Sequence, residues 1–157
     1  MGTLSKAIGV AGGFIAGNQA LIDLLLHRAR TFLFTTGTPP ALAAAASAAL
    51  QILQSDEGDR LRQQLQTNRQ IFLRQAPSVV TAADQGSPIL PWMVGSSERA
   101  VYLGTQLEQL GFQVGVVRPP TVPQGKARLR ISFSACHSER EIAGLAAAFH
   151  HIIHHES

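Results

Sequence analysis

Along the chain, the apolar positions change period several times, and each change marks an element. AIGVAGGFIAG (residues 7–17) is predicted as two short apolar strands around the Gly12–Gly13 turn, whose glycines accept positive φ. Asn18 is an N-cap for a helix through about Thr31, along which Leu21, Leu24, Leu25 and Arg28 keep helical spacing. FLFTTGTPP opens like a strand and gives way to a threonine-rich turn, where Thr38 caps a helix with Pro39 or Pro40 in its first turn. ALAAAASAALQIL is strongly helical and rich in small residues. After the polar break QSDEGD, the positions Leu61, Leu65, Asn68, Phe72 and Gln75 trace an amphipathic helix that stops before Pro77.

The pattern then alternates. SPILPWMVG is a strand weakened by Pro91. Ser97 is expected to cap the helix ERAVYLGTQLEQL, which Gly111 ends. FQVGVVRP is a strand, PPTVPQGK a rigid loop, and ARLRISFS a strand. Ser138 and Glu141 form a capping box that opens a last helix. Strand, helix, strand, strand, helix makes a compact α/β unit. The break near Ser55 divides the chain into residues 1–55 and residues 56–157.

Composition narrows the function classes. Hydrophobic residues make up 45% of the 157 positions and charged residues 15%, enough to build a core and too apolar for a disordered chain. The net charge is +3, but the arginines fall in several segments among acidic residues, so no nucleic-acid partner is expected. The single cysteine, Cys136, excludes an internal disulfide and suits a reducing cytoplasm. No apolar run is long enough to span a membrane, and the first residues carry no signal-peptide pattern. These features point to a soluble, cytoplasmic protein.

Lysine usage then directs attention to chemistry. The chain has two lysines, Lys6 and Lys126, against eleven arginines. A lysine retained in an arginine-rich chain suits chemistry that needs an amine able to lose its proton and form an imine. Lys6 sits in GTLSKAIGVAGG, which fits neither the phosphate-binding P-loop nor the dinucleotide fingerprint. Two readings stand: a covalent lysine with the Thr3 hydroxyl offered to a nearby anion, or a solvated lysine at a frayed end.

Two further segments carry candidate sites. In RLRISFSACH, strand alternation puts Arg128, Arg130, Ser132 and Ser134 on one face and Leu129, Ile131 and Phe133 on the other. An arginine face of this kind binds a carboxylate, or is simply a solvated outer face. In FTTGTPP, hydroxyls before a helix N-terminus suit a phosphate, or only cap the helix. Cys136 and His137 are expected on opposite faces of the strand end, which argues against a catalytic pair. The tract FHHIIHHES places His150 with His154, and His151 with His155, one helical turn apart. It has no acidic or cysteine partner nearby, so no metal site is assigned and the tract reads as a solvated last turn.

Taken in order, GTLSKAIGVAGGFIAG, RTFLFTTGTPP and RPPTVPQGKARLRISFSACH resemble the α-oxoamine synthases, pyridoxal-phosphate enzymes that condense an amino acid with an acyl thioester. The resemblance runs from Gly2 to the last helix. It implies the C-terminal part of a type I pyridoxal-phosphate transferase fold, with residues 1–55 the tail of the large cofactor-binding domain and residues 56–157 the small α/β domain. By position, Lys6 matches the Schiff-base lysine and Thr3 a phosphate ligand. Thr35 and Thr36 match residues that reach the neighbouring subunit's cofactor in a homodimer with shared active sites. Arg130 matches the arginine that binds a substrate carboxylate, and Thr121 a substrate contact in the proline loop.

Within the family, RPPTVP followed by GKARLR is most similar to the member that joins L-alanine to a pimeloyl thioester, carried by coenzyme A or an acyl carrier protein. Condensation of glycine with an acetyl or succinyl thioester, and a non-catalytic remnant, are the alternatives. Family members are much longer than this chain. The acid expected to pair with the pyridine nitrogen and most of the large domain's sheet have no counterpart in it. The expectation is therefore a fragment that does not catalyse the reaction alone.

Overall fold

The computed structural model describes residues 1–79 and 86–154. Contacts divide the chain into two compact units, Met1–Asp59 and Arg60–Ser157.

The first unit opens with a two-residue strand β1 (Gly2–Thr3) paired antiparallel to β2 (Gly13–Phe14), with Gly2 opposite Phe14 and Thr3 opposite Gly13. This corrects the expected strand pair around Gly12–Gly13. Gly13 lies inside a strand, because a Cβ there would stand 2.9 Å from the Gly2 carbonyl oxygen. The turn is the longer segment between the strands, closed by N–H donation from Leu4 to the Gly12 carbonyl and from Val10 to the Leu4 carbonyl.

Helix α1 (Gln19–Arg28) starts as expected, with the Asn18 side chain accepting from the Leu21 N–H. It stops short of Thr31 because Ala29 leaves the helical region at ψ 88°, and a single-turn helix α2 (Arg30–Leu33) follows. The strand expected at Phe32–Phe34 is therefore the end of this helix and its C-cap, Phe34, since a short apolar run fits either period. Helix α3 (Pro40–Leu53) is capped by Pro39 and not by Thr38, and no side-chain hydrogen bond closes its start. Pro40 at the first position loses nothing, as its missing N–H has no intrahelical partner there.

Only Gln54 and Ser55 separate α3 from helix α4 (Asp56–Gln75). Gly58 makes this tight junction possible: a Cβ would lie 2.4 Å from the Ile52 carbonyl oxygen. In this unit Val10 and Ala46 are the buried apolar side chains, while Phe14, Leu24, Phe32 and Phe34 are exposed.

The second unit has two layers. A three-stranded antiparallel sheet is ordered β3 (Ile89–Gly95), β5 (Ala127–Ser132), β4 (Gly115–Val117). Pro91 is tolerated because β3 is an edge strand. Leu129 and Ile131 on β5, with Leu90 on β3, turn to the buried face. There they meet Phe72 of α4 and Ala76 just past its end, Leu103 and Leu107 of helix α5 (Ser97–Gln109), and Ile142, Phe149 and Ile152 of helix α6 (Glu139–His154). The aromatic centre is edge-on: Phe149 stands 5.6 Å from Phe72 and 5.2 Å from Trp92 between ring centroids.

Ser96, one residue before the expected cap, closes the start of α5 by accepting from the Arg99 N–H at 3.1 Å. The helix ends in a Schellman motif, with Gly111 at φ 88°, its N–H bonded to the Glu108 carbonyl, and the Phe112 N–H bonded to that of Leu107. The capping box of α6 forms as read from the sequence, Ser138 N–H donating to Glu141 at 2.7 Å and Glu141 N–H donating back to Ser138 Oγ at 3.3 Å.

Candidate active site

In the first unit, Lys6 lies in the turn between β1 and β2. Its carbonyl accepts from the Gly9 N–H at 2.9 Å, and Gly9 takes φ 71°, so the backbone around the lysine doubles back tightly. The Lys6 side chain is exposed. Thr3 is held against the same turn. Its Oγ1 lies 2.7 Å from Ser5 Oγ and accepts from the Ser5 N–H at 3.2 Å. Its own proton has two acceptors within reach, Ser5 Oγ in that 2.7 Å contact and the Gly12 carbonyl at 3.4 Å. Both acceptors are uncharged, so an anionic oxygen placed beside Thr3 competes for its proton.

Thr35 and Thr36 sit on a different element, the turn that follows α2. The Thr35 hydroxyl donates to the Thr31 carbonyl, a local tie at the end of α2, and Thr36 is exposed. The structure thus gathers Thr3 and Lys6 in one turn and places Thr35 and Thr36 on another.

In the second unit, β5 carries its arginines on the face away from the core. The two are not equivalent. Arg128 is half-buried and turns back on its own strand, its Nε–H donating to the Lys126 carbonyl at 3.0 Å. Arg130 is exposed, and among the described residues its guanidinium takes no hydrogen-bonding or ionic partner. Pro91 flanks it on β3 and Gly115 on β4. A fork of N–H donors left free on an open sheet face is a binding element for a carboxylate.

Thr121 is exposed on the loop that joins β4 to β5. The Pro119–Pro120 bond is cis, and the Thr121 N–H donates to the Arg118 carbonyl at 3.1 Å, forming a tight turn. Three prolines in this loop limit the conformations Thr121 samples.

Cys136 and His137 lie in a turn beyond β5, which corrects the expectation that they extend the strand. The chain turns because Ser134 Oγ accepts from the Cys136 N–H and His137 Nδ1 accepts from the Ser134 N–H. Sequence reading missed the residue that holds this turn, Asn68. It is fully buried on α4, and its amide donates to the carbonyls of Ser134 at 3.0 Å and His137 at 2.8 Å. A polar residue at a core-facing helical position was the available signal. Gly115 was likewise missed, because its part appears only when β4 and β5 are paired.

His155 lies outside the described residues, and among the described residues no group of three or more histidine, cysteine or acidic side chains is placed to hold a metal. No helix among them is long and apolar enough to cross a membrane.

These features match known proteins over nearly the whole chain. It is 47% identical over 148 residues to the 8-amino-7-oxononanoate synthase of Methylobacterium nodulans, a match covering 94% of this chain and 38% of that protein. The structure of SPT with its PLP internal aldimine aligns with a TM-score of 0.82 at 26% identity, over 96% of this chain and 39% of that one. The 8-amino-7-oxononanoate synthase of Francisella tularensis aligns with a TM-score of 0.80 at 25% identity, over 98% of this chain and 45% of that one. The chain spans 37–39% of the length of the curated relatives it matches. With residues 1–149 matching the family described as class I and II aminotransferases, the chain belongs to that family.

Proposed function

We propose that the chain supplies the covalent lysine and the carboxylate-binding arginine of a pyridoxal 5'-phosphate-dependent α-oxoamine synthase. The reaction is condensation of L-alanine with a pimeloyl thioester, giving 8-amino-7-oxononanoate, carbon dioxide and the free thiol. The observation that carries this reading is the contrast between the two strand arginines: Arg128 is tied to its own backbone, and Arg130 is left free beside a glycine. The high identity to 8-amino-7-oxononanoate synthases supports the choice of substrates.

The donor set of the first unit fits the cofactor. A primary amine at Lys6 is the group an aldehyde takes, and the exposed Thr3 hydroxyl is suited to a phosphate oxygen. When bound, the cofactor supplies an electron-accepting ring for the carbanion formed at the substrate Cα. Lys6 then serves as the amine that takes the Cα proton, and Arg130 orients the substrate through its carboxylate. Thr121 contacts the substrate from the proline loop, and Thr35 and Thr36 serve the phosphate of a neighbouring subunit's site.

Lys6 is exposed in this chain, whereas a covalent lysine is activated by desolvation. Turnover therefore requires further protein surface around Lys6. The exposed Phe14, Phe32 and Phe34 are apolar surface of the kind a homodimer covers.

The test is to incubate the chain with pyridoxal phosphate, reduce with borohydride and map the modified peptide. Modification at Lys6, lost in Lys6→Ala, is the expected result. Equal labelling of Lys126, the only other lysine, would refute a built cofactor site. In the complete enzyme, product formation from alanine with a pimeloyl thioester, against glycine with acetyl or succinyl thioesters, decides the substrates.

A further inference from the structure

Outside this site, the last turns of α6 carry His150, His151 and His154. His150 and His154 are one helical turn apart, and their rings lie parallel, with centroids 6.1 Å apart and planes within 6°. Side chains at this spacing share one face of a helix. The two rings are exposed.

The His150 ring also has a backbone partner on a second helix. Its Nε2 contacts the backbone carbonyl of Gln75, the last residue of α4. A carbonyl oxygen only accepts, so Nε2 carries the proton. In the neutral ring the lone pair is then on Nδ1. Metal-ligating histidines typically have this arrangement, with the non-ligating N–H donated to a backbone carbonyl and the other nitrogen made more basic. The contact holds the ring in place across two helices and, in the neutral ring, turns the Nδ1 lone pair over to a ligand.

We propose that His150, through Nδ1, and His154 chelate a borderline divalent transition-metal ion such as Zn²⁺, with water completing the coordination. Imidazole nitrogen suits Zn²⁺, Ni²⁺ and Cu²⁺ and not Mg²⁺ or Ca²⁺, so those hard cations are not ligands here. Metal–nitrogen bonds of about 2.0–2.1 Å require the two ligating nitrogens to face one point, which rotation of the His154 ring about its side-chain torsions provides. Because His150 is also bonded to Gln75, the bound ion ties the last turn of α6 to the end of α4.

Calorimetric titration of Zn²⁺ into the full chain at neutral pH tests the site. One equivalent is expected to bind, with affinity falling about tenfold or more in His154→Ala and unchanged in His151→Ala. His150→Ala removes the Gln75 contact as well, so the second readout is the imidazole NMR spectrum of the unaltered chain. Zn²⁺ is expected to shift the His150 and His154 resonances, with Mg²⁺ leaving them in place. Unchanged affinity in His154→Ala, or shifts confined to His151 and His155, would overturn the proposal and place any bound ion on the other pair.

Discussion

Gly115 and Arg130 stand directly opposite each other on β4 and β5, and a Cβ added to Gly115 would lie 3.3 Å from Arg130 Nε and 3.4 Å from its Cβ. The missing side chain is the room in which the arginine lies. This contact gives Gly115 a positioning role toward the proposed carboxylate site. In the complete enzyme, Arg130→Ala is expected to raise KM for the amino-acid substrate about tenfold to a hundredfold, the loss of a charge-assisted pair worth about 1.5–3 kcal/mol. Gly115→Val is expected to raise the same KM by displacing the guanidinium, with the thioester KM little changed. Steady-state kinetics with each substrate varied in turn separates the two effects. Equal changes in both KM values would point to a general disturbance of the sheet.

Asn68 supplies the second prediction. Its amide satisfies two carbonyls of the turn beyond β5, and its own oxygen accepts from Gln64 at 2.8 Å. Replacing it with leucine keeps the volume, orphans the His137 carbonyl and leaves the Ser134 carbonyl only the His137 N–H at 3.3 Å. The expected cost is about 1–3 kcal/mol, the penalty of one unsatisfied group. A lower urea midpoint with an unchanged slope is the expected observation. A change under about 0.5 kcal/mol, the range of an inert surface substitution, would mean that water takes the place of the amide.

The aromatic centre yields a third. Phe149→Ala removes both edge-on contacts, to Phe72 and to Trp92, from a fully buried position. Large-to-small changes of this kind cost about 3–5 kcal/mol, the spread set by how far the site collapses. Thermal or urea unfolding measures it. Leu24→Ala, at an exposed position of the first unit, is the control and is expected to change stability by less than about 0.5 kcal/mol.

The parts legible in the sequence were those specified locally. The period-two run Leu129, Ile131, Phe133 marked the buried face of β5, and Ser138 with Glu141 marked the start of α6 to the residue. Non-local pairing was not legible. Nothing in residues 7–17 shows that Gly13 belongs opposite Thr3, because the register depends on a backbone approach that only a glycine allows. Phe32–Phe34 read as a strand because three apolar residues fit both periods, and the ψ of Ala29 that reseats the chain as a helical turn has no sequence signal. In the site, Lys6 stood out as a rare residue type, while the difference between Arg128 and Arg130 rests on one backbone carbonyl, that of Lys126.

The start of α6 makes stability depend on pH. The Glu141 carboxylate accepts from the Ser138 N–H at 2.7 Å and from the Ser138 hydroxyl at 2.8 Å. The backbone bond foremost, then the hydroxyl, and more weakly the nearby His137 hold its pKa below the ordinary 4.5, against a small opposing effect of desolvation. A carboxyl depressed in the folded state binds its proton more readily when unfolded. Its contribution is therefore complete above the ordinary carboxylate value and disappears as pH falls through the lowered folded value. Glu141→Gln is expected to be less stable than the parent at neutral pH, with the gap closing in acid below that window. Ser138→Ala removes the reciprocal cap and is expected to cost about 1 kcal/mol at neutral pH. It also returns the Glu141 titration toward 4.5, because its hydroxyl partner is gone. Urea unfolding of the three proteins across a pH series, with carboxyl titration followed by NMR, checks both. A Glu141→Gln gap that stays constant into acid would show that the carboxylate charge contributes nothing to the cap.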